Sequence, residues 1–515
     1  MSQQRKETWD DALPLAQPDE KKRIDPTTFF GSIIIITLLC AYLVLDTERG
    51  TAAVGKVFGF VTGPLGWSYE WFAMLMAGLT LYLAFGKYGD VRLGDEEPEF
   101  STISWLGMLF TAGVGSSITY WGTIEFFYYY QSPPFGAEPF SVDAARWASA
   151  YGIFHWTVAN VMYGVMGVVF GYLFFIKKAD ILRPSMACRS VIGDAADGLP
   201  GKIIDIFFIL GLMAGIATSL GLGTPLISEI VSRLTGIEKG LHLDMTIVML
   251  WTGLIAVTVY MGLHKGLQVA SNIRVYLTLG LLSFVLIVGP TGFMLNNFTE
   301  SLGTVCQNFF KMSFYTDAVG QSGFPQGWTI FYWAWWVAFA IQVGVFIARI
   351  SKGRTIREVA LLPFLAVSCG CWCFFLTLGN YSLDAFIQGA VPLKEIMAEQ
   401  GAPAAIASLW GNLPLGNLML FLFMTVTFLG AVTALSSAGF TLATVTTKKI
   451  TGEEEPAKWN RVFWSLALGG AAITLMVLGG LRPLQTASVV GSLPMMGIIV
   501  MIIIGFFKDI KKSHG

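Results

Sequence analysis

Aromatic side chains are concentrated in residues 328–336, where four tryptophans fall within nine positions. Spacings of four, three and four residues put one set of rings on the same face of a helix. The set is Trp328, Tyr332, Trp335 and Phe339. A quaternary ammonium has no N–H to donate, so proteins hold it against ring faces, at about 0.5–2 kcal/mol per ring. The segment therefore predicts a site for such a cation, and an aromatic belt at the membrane surface is the alternative.

Residues 111–117 read TAGVGSS inside an apolar stretch. Gly113, Gly115 and the neighbouring serines weaken a helix, and backbone groups freed at membrane depth must line a cavity or meet polar partners. Broken helices of this kind mark substrate and ion sites in transporters. Close helix packing through small residues is the alternative. Glu125 follows in the same stretch and is a functional candidate, because carboxyl groups inside membrane spans are rare and usually functional.

Two further polar residues interrupt apolar stretches. Arg274 keeps its charge at physiological pH and must face a cavity or polar partners, unless its side chain extends to the membrane surface. His155 lies beside Trp156. A single buried histidine is more often a hydrogen-bonded structural residue than a proton relay.

The composition is that of a membrane protein. Only 13% of the 515 residues are charged and 54% are apolar, whereas soluble domains carry about 25% charged residues. The net charge of −1 gives no field directed at nucleic acid. The six cysteines match no zinc-binding spacing. With no metal or nucleophile constellation and no filter loop, we expect neither a cofactor, an enzyme nor a channel.

Twelve stretches are long and apolar enough to predict transmembrane helices, since a span takes about 20 residues. They are residues 27–46, 66–86, 104–130, 145–176, 203–232, 243–263, 270–296, 328–350, 357–384, 413–446, 462–480 and 486–507. An even count puts both termini on one side of the membrane. Lys and Arg predominate in the loops on that side, which predicts cytoplasmic termini. We therefore expect an all-α, multi-pass protein of the cell (inner) membrane, with cytoplasmic tails at 1–25 and 509–515 and a twelve-span transporter domain at 26–508.

Several motifs in this order resemble the betaine/carnitine/choline transporter family, over nearly the whole chain. The most specific is residues 323–336, GFPQGWTIFYWAWW, which continues into 346–354, FIARISKGR. Supporting motifs are EPEFST at 97–102, FHW at 154–156, SLGLGTP at 219–225 and GGLRPLQ at 479–485.

The resemblance implies a core of two inverted five-helix repeats, spans 3–7 and 8–12, together with alternating access and a homotrimer. It also implies a substrate box for a small zwitterionic quaternary-ammonium compound. The box residues are Tyr128, Trp335, Trp336 and Phe339, with Val343 nearby. Trp328 and Tyr332 are implied to lie nearer the outer vestibule.

The resemblance also bears on ion coupling. Sodium-driven members of the family have Asn where Arg274 stands, and a Thr-Ser pair of sodium ligands where this chain has Thr433-Ala434. The Arg274 pattern is similar to that of the sodium-independent carnitine/γ-butyrobetaine antiporters. A permanent guanidinium takes the place of the ion but cannot leave, so no sodium gradient is used. The coupling region is accordingly expected at Arg274, Thr433, Gly113, Gly115 and Glu125.

Two departures change the expected pocket. First, the carnitine exchangers have Tyr where this chain has Phe339 and Met where it has Val343. Second, the family usually shows a further Trp after Trp156, where this chain has Asn160 and Val161. We therefore expect sodium-independent exchange or facilitated uptake of carnitine, γ-butyrobetaine or glycine betaine type compounds. Sodium- or proton-coupled betaine symport is the alternative.

Overall fold

A computed structural model of the chain describes residues 24–113, 116–179, 183–261, 264–448 and 455–514, without the side chains of 111–116, 258–259 and 261–270. Within these residues the chain is helical, apart from loops and two isolated β-bridges. This confirms the all-α expectation. Most of the predicted N-terminal tail and Gly115 lie outside the described residues, and the last helix continues to His514 through the predicted C-terminal tail.

The helices, in chain order, are α1 (Pro26–Leu45), α2 (Thr47–Thr62), α3 (Gly66–Phe85), α4 (Thr102–Gly113), α5 (Ser116–Gln131), α6 (Val142–Val158), α7 (Val161–Gly171), α8 (Pro184–Ala187), α9 (Arg189–Ile192), α10 (Leu199–Thr235), α11 (Leu241–Met261), α12 (His264–Val288), α13 (Thr291–Ser313), α14 (Phe324–Gly327), α15 (Thr329–Arg349), α16 (Ile356–Phe374), α17 (Asn380–Ile387), α18 (Leu393–Glu399), α19 (Ala402–Gly411), α20 (Gly416–Val445), α21 (Lys458–Leu478) and α22 (Arg482–His514). Single π-helical turns follow α7 at Tyr172–Ile176 and α16 at Phe375–Gly379, and a 3₁₀ turn follows α9 at Gly193–Ala196.

Among the described residues, nine helical segments are long and apolar enough to cross a membrane. They are Pro26–Leu45, Val142–Ile176, Leu199–Thr235, Ser271–Val288, Phe324–Arg349, Ile356–Ile387, Gly416–Val445, Lys458–Leu478 and Arg482–His514. The other three predicted spans correspond to α3, to the α4–α5 pair and to α11. Helix α3 carries the buried Glu70, residues 114–115 between α4 and α5 lie outside the described residues, and the apolar part of α11 is the shorter Leu241–Val257. The protein is a multi-pass membrane protein, and the count of twelve spans stays a prediction.

Helix starts are set by local sequence. Pro26 occupies the first turn of α1, where its missing N–H costs nothing, and the Asp25 carboxylate accepts the Thr28 N–H at 3.1 Å. At the start of α16, Thr355 and Glu358 form a reciprocal capping box, which satisfies two backbone donors that the helix itself leaves open.

Two groups of helices pack mainly within themselves. In the first, α7 packs against α15 and α16, α4 against α16, and α5 against α6. In the second, α10, α11, α20 and α21 pack against one another, and α12 lies on α20. Helix α22 lies on α10 and also packs against α15 of the first group. If spans 3–7 and 8–12 are equivalent repeats, α4 is equivalent to α15, α7 to α16, α10 to α20 and α12 to α22. The contact of α7 with α15 is then equivalent to that of α16 with α4, and the contact of α10 with α22 to that of α20 with α12. The seam between the two groups is where a cavity can form.

The crossing of α7 with its neighbours depends on the absence of side chains. A Cβ at Gly164 would overlap the carbonyl oxygen of Ala360 in α16, and a Cβ at Gly344 of α15 would overlap Met166 in α7. Because backbone cannot move aside as a flexible side chain can, these positions accept only glycine at the present helix separation.

The connection between α3 and α4 is tied to the connection between α15 and α16. Leu93 and Gly353–Arg354 exchange two backbone hydrogen bonds, both of 2.8 Å. The Arg354 guanidinium lies 4.7 Å from the Trp105 ring centroid and donates to the Phe100 carbonyl at 2.8 Å. These contacts hold one end of α4, α15 and α16 together.

We expect Gly164→Ala to destabilise the protein by roughly 1–3 kcal/mol, the usual cost of overpacking. The matched control is Gly280→Ala in α12, where a Cβ would meet nothing within 4 Å; it should leave stability unchanged or slightly higher. The measurement is the midpoint of thermal unfolding in detergent. Equal midpoints for the two variants would contradict the close α7–α16 crossing.

Candidate functional site

A cavity of about 160 Å³ lies at the seam between the two helix groups. It is smaller than the roughly 300–1,000 Å³ typical of sites for drug-sized ligands, so it suits a small molecule better than a drug-sized one. The lining residues come from α5, α6, α7, α10, α15, α16 and α20. They are Ser117, Ile118, Trp156, Asn160, Tyr163, Ile216, Ser219, Trp335, Trp336, Phe339, Val343, Val367, Cys371 and Ala434.

Five of the fourteen lining residues are aromatic, and none of the fourteen carries a formal charge. The rings are Trp156, Tyr163, Trp335, Trp336 and Phe339. Several ring faces around a small space attract a cation that cannot be held by hydrogen bonds. Polar groups are few: the Ser117 hydroxyl donates to the Ser219 hydroxyl at 3.2 Å. A lining of this kind suits a small, largely apolar molecule that carries a positive charge.

The indole N–H groups of Trp335 and Trp336 are fixed by acceptors on neighbouring helices. Trp335 donates to the Gly215 carbonyl of α10 at 3.2 Å, across the seam between the helix groups. Trp336 donates to Oδ1 of Asn160 at 2.9 Å. The Asn160 amide in turn donates to the Trp156 carbonyl at 2.6 Å and to the Ser368 hydroxyl at 3.1 Å. The indole N–H of each of these two tryptophans therefore fixes the orientation of its ring.

A buried carboxylate lies behind this aromatic wall. Glu125 is 0% exposed and accepts three hydrogen bonds from neighbouring helices and from its own helix. Tyr129 donates to Oε1 at 2.6 Å, and Tyr332 and Trp156 donate to Oε2 at 2.6 and 2.8 Å. The carboxylate therefore joins α5, α6 and α15, and one of its donors is a wall of the cavity.

His155 extends the same network. Its Nδ1 lies 2.9 Å from the Tyr129 hydroxyl and its Nε2 lies 3.1 Å from the Thr329 hydroxyl. The ring stacks on Tyr332 with centroids 4.7 Å apart. Both ring nitrogens of His155 therefore lie within hydrogen-bond distance of a hydroxyl group, and such a group can donate or accept.

The structure brings together Trp335, Trp336, Phe339 and Val343 of the predicted substrate box. Tyr128 is not among the cavity-lining residues; it is half-buried, with its ring 5.1 Å from Trp328.

The two predicted vestibule residues also lie outside the cavity. Trp328 stands at the junction between α14 and α15, where the backbone is not helical. Tyr332 is fully enclosed in this conformation, so its place in an outer vestibule stays a prediction.

The predicted coupling residues are placed as follows. Arg274 is only 7% exposed, so its side chain is enclosed by protein rather than extended into the lipid headgroups. Thr433 donates to the Gly430 carbonyl of its own helix at 2.8 Å, and Ala434 lines the cavity. Gly113 ends α4 and Ser116 begins α5, on either side of the undescribed pair 114–115.

Sequence reasoning missed three lining residues from one segment: Trp156, Asn160 and Tyr163. The chain leaves the α6 helix at Val158 and resumes as α7 at Val161, so this span is also interrupted. A signal was present, because spacings of four and three residues put the three side chains on one helical face. Asn160 inside a strongly apolar span was the strongest part of that signal, since such polar residues need partners.

One solved structure that a structural search matches to this chain is the substrate-bound, outward-open state of a Na⁺-coupled sialic acid symporter. The sequences are 13% identical, the TM-score is 0.36, and the match covers 77% of this chain and 84% of that chain. The sequence itself matches the profile of the betaine/carnitine/choline family transporters over residues 27–515, which is nearly its whole length. The chain therefore belongs to the betaine/carnitine/choline transporter family, and it is a membrane transporter rather than an enzyme.

Proposed function

We propose that this protein moves small zwitterionic quaternary-ammonium compounds, of the carnitine, γ-butyrobetaine or glycine betaine type, by sodium-independent exchange or facilitated uptake. The observation that carries the proposal is the cavity bordered by five aromatic rings, with no charged side chain among its lining residues. A trimethylammonium group is apolar at its surface and positive overall, which matches ring faces better than carboxylates or amides.

The rest of the cavity supports a zwitterion rather than a plain cation. Hydroxyl groups of Ser117, Ser219 and Tyr163 border it and are donors of the kind that a substrate carboxylate needs. The cavity lies between two groups of helices that pack mainly within themselves. Relative motion along that seam would open the cavity to one side of the membrane at a time, as alternating access requires.

Sodium independence is supported by residue types at two positions. Arg274 places a permanent charge in an enclosed position of α12, and Ala434 presents a methyl group where a sodium ligand would present a hydroxyl. A bound charge that cannot dissociate can brace the helices but cannot couple transport to an ion gradient. The substrate would then run down its own gradient or exchange for a related compound.

Proton-coupled betaine symport is the second candidate, and the Glu125–Tyr129–His155–Thr329 network favours it. Successive heavy-atom distances of 2.6, 2.9 and 3.1 Å form a continuous chain that links a carboxylate to a histidine, and such chains serve as proton relays in transporters.

We also propose that both termini are cytoplasmic, that the protein resides in the cell (inner) membrane, and that it assembles as a homotrimer. The distribution of Lys and Arg supports the orientation, and the family resemblance supports the trimer.

We expect Trp335→Leu to lower the affinity for labelled glycine betaine by about tenfold or more, because one cation–π wall is lost. The control is Trp67→Leu, the same change at a ring that is 56% exposed on α3, and it should change affinity little. Displacement of the label by a panel of betaines from purified protein measures both. An affinity within about threefold of the wild type (under roughly 0.7 kcal/mol) would exclude Trp335 as a wall.

We expect wild-type proteoliposomes to take up betaine equally with and without sodium, and faster when they are preloaded with substrate. Arg274→Asn should slow uptake because the buried charge is lost. Adding Ala434→Ser to that variant should restore part of the uptake in a sodium-dependent way, whereas Ala434→Ser alone should not create sodium dependence. Strict sodium dependence of the wild type would overturn this coupling assignment.

A further inference from the structure

Glu125 lies just behind the cavity wall, without lining the cavity itself. Its carboxylate is separated from the cavity by the indole of Trp156, which donates its N–H to Oε2 at 2.8 Å and presents its ring to the cavity. The residue is 0% exposed, so no water screens its charge in the described conformation.

Each of the three groups around Glu125 can donate a hydrogen bond, so together they can solvate an ionised carboxylate. An indole N–H can only donate, and the Tyr129 and Tyr332 hydroxyls lie at 2.6 Å from the two oxygens, a separation typical of hydrogen bonds to a carboxylate. The neighbouring His155 can direct its own proton at the Tyr129 oxygen, which leaves the Tyr129 proton for Glu125. Donors are thus provided for both carboxylate oxygens.

This arrangement acts on the electrostatics of the cavity in two ways. A negative charge one ring away attracts a positive group in the cavity, and such attraction is strong where the effective dielectric constant is low. Hydrogen bonding of the Trp156 N–H to an anion also raises the electron density of the indole, which strengthens its attraction for a cation.

We propose that Glu125 is a specificity-determining residue that acts through Trp156: it makes the cavity prefer a quaternary ammonium over an uncharged group of the same shape. The proposal rests on the proposed substrate class. It differs from a purely structural role, in which the carboxylate only ties α5, α6 and α15 together and would affect every ligand of that shape alike.

The test compares two ligands that differ in one atom. Glycine betaine and 3,3-dimethylbutanoate have the same shape and the same carboxylate, but the central atom of the bulky group is N⁺ in the first and carbon in the second. Affinities for both are measured on detergent-purified full-length protein by displacement of labelled glycine betaine, for the wild type and for Glu125→Gln. For each protein, the affinity for glycine betaine is divided by the affinity for 3,3-dimethylbutanoate. Comparing this quotient between the wild type and Glu125→Gln isolates the interaction between the Glu125 charge and the ligand charge, as in a double-mutant cycle.

We expect Glu125→Gln to lower the affinity for glycine betaine by about tenfold or more and to change the affinity for 3,3-dimethylbutanoate by less than about threefold. A parallel loss for both ligands means that the carboxylate only positions the wall, and an unchanged betaine affinity means that its charge does not reach the site; either result overturns the proposal. A wild-type protein that binds no betaine at all would instead overturn the proposed function.

Tyr332→Phe provides the complementary variant, because it removes one hydrogen bond to the carboxylate and keeps the charge. Its preference for glycine betaine over the isostere should stay within about threefold of the wild-type preference, even where absolute affinity falls. Loss of that preference overturns the proposal, so the question stays decidable if the Gln variant does not fold.

Discussion

A carboxyl group buried inside a membrane protein must be satisfied by hydrogen-bond partners, and the arrangement of the central helices follows from this requirement. Water cannot solvate Glu125, so Tyr129, Tyr332 and Trp156 do so from three helices. The interaction fixes α5, α6 and α15 relative to one another and sets the plane of one cavity wall. The aromatic cavity is thus positioned by a polar contact, and hydrophobic packing then fills the space around it.

Close packing depends on a complementary constraint. Lipid tails provide no hydrophobic force that would drive apolar helices together, so contact between them requires small residues and directed hydrogen bonds. Gly164 and Gly344 allow α7 to approach α15 and α16, and Trp335 reaches across the seam to the Gly215 carbonyl. Each helix group packs mainly within itself, and the contacts across the seam include the packing of α22 on α15 and the Trp335–Gly215 hydrogen bond. A transporter needs such a division, since the groups must keep their shape while the seam changes.

Much of this was predictable from the sequence because it depends on local pattern. Hydrophobic length predicted the helices. Helical spacing predicted one aromatic face from Trp328 to Phe339, of which Trp335 and Phe339 line the cavity. What could not be predicted depends on tertiary contacts. The interruption between α6 and α7, which brings Asn160 to Trp336, has no proline or glycine to announce it. The number of spans is also not settled by composition, since α3 is protected from lipid on the side that carries Glu70.

The tie between Leu93 and Arg354 has a mechanical consequence. Because the guanidinium holds both the Phe100 carbonyl and the Trp105 ring, the ends of α4, α15 and α16 resist separation and behave as one stiff cap. A stiff cap would act as a pivot, with bending concentrated towards the opposite ends of these helices and at the non-helical residue Trp328, which precedes α15. Motion in this transporter would then have a lever arm set by the distance from Arg354 to the cavity, so that a small tilt at the cap becomes a larger displacement at the aromatic walls.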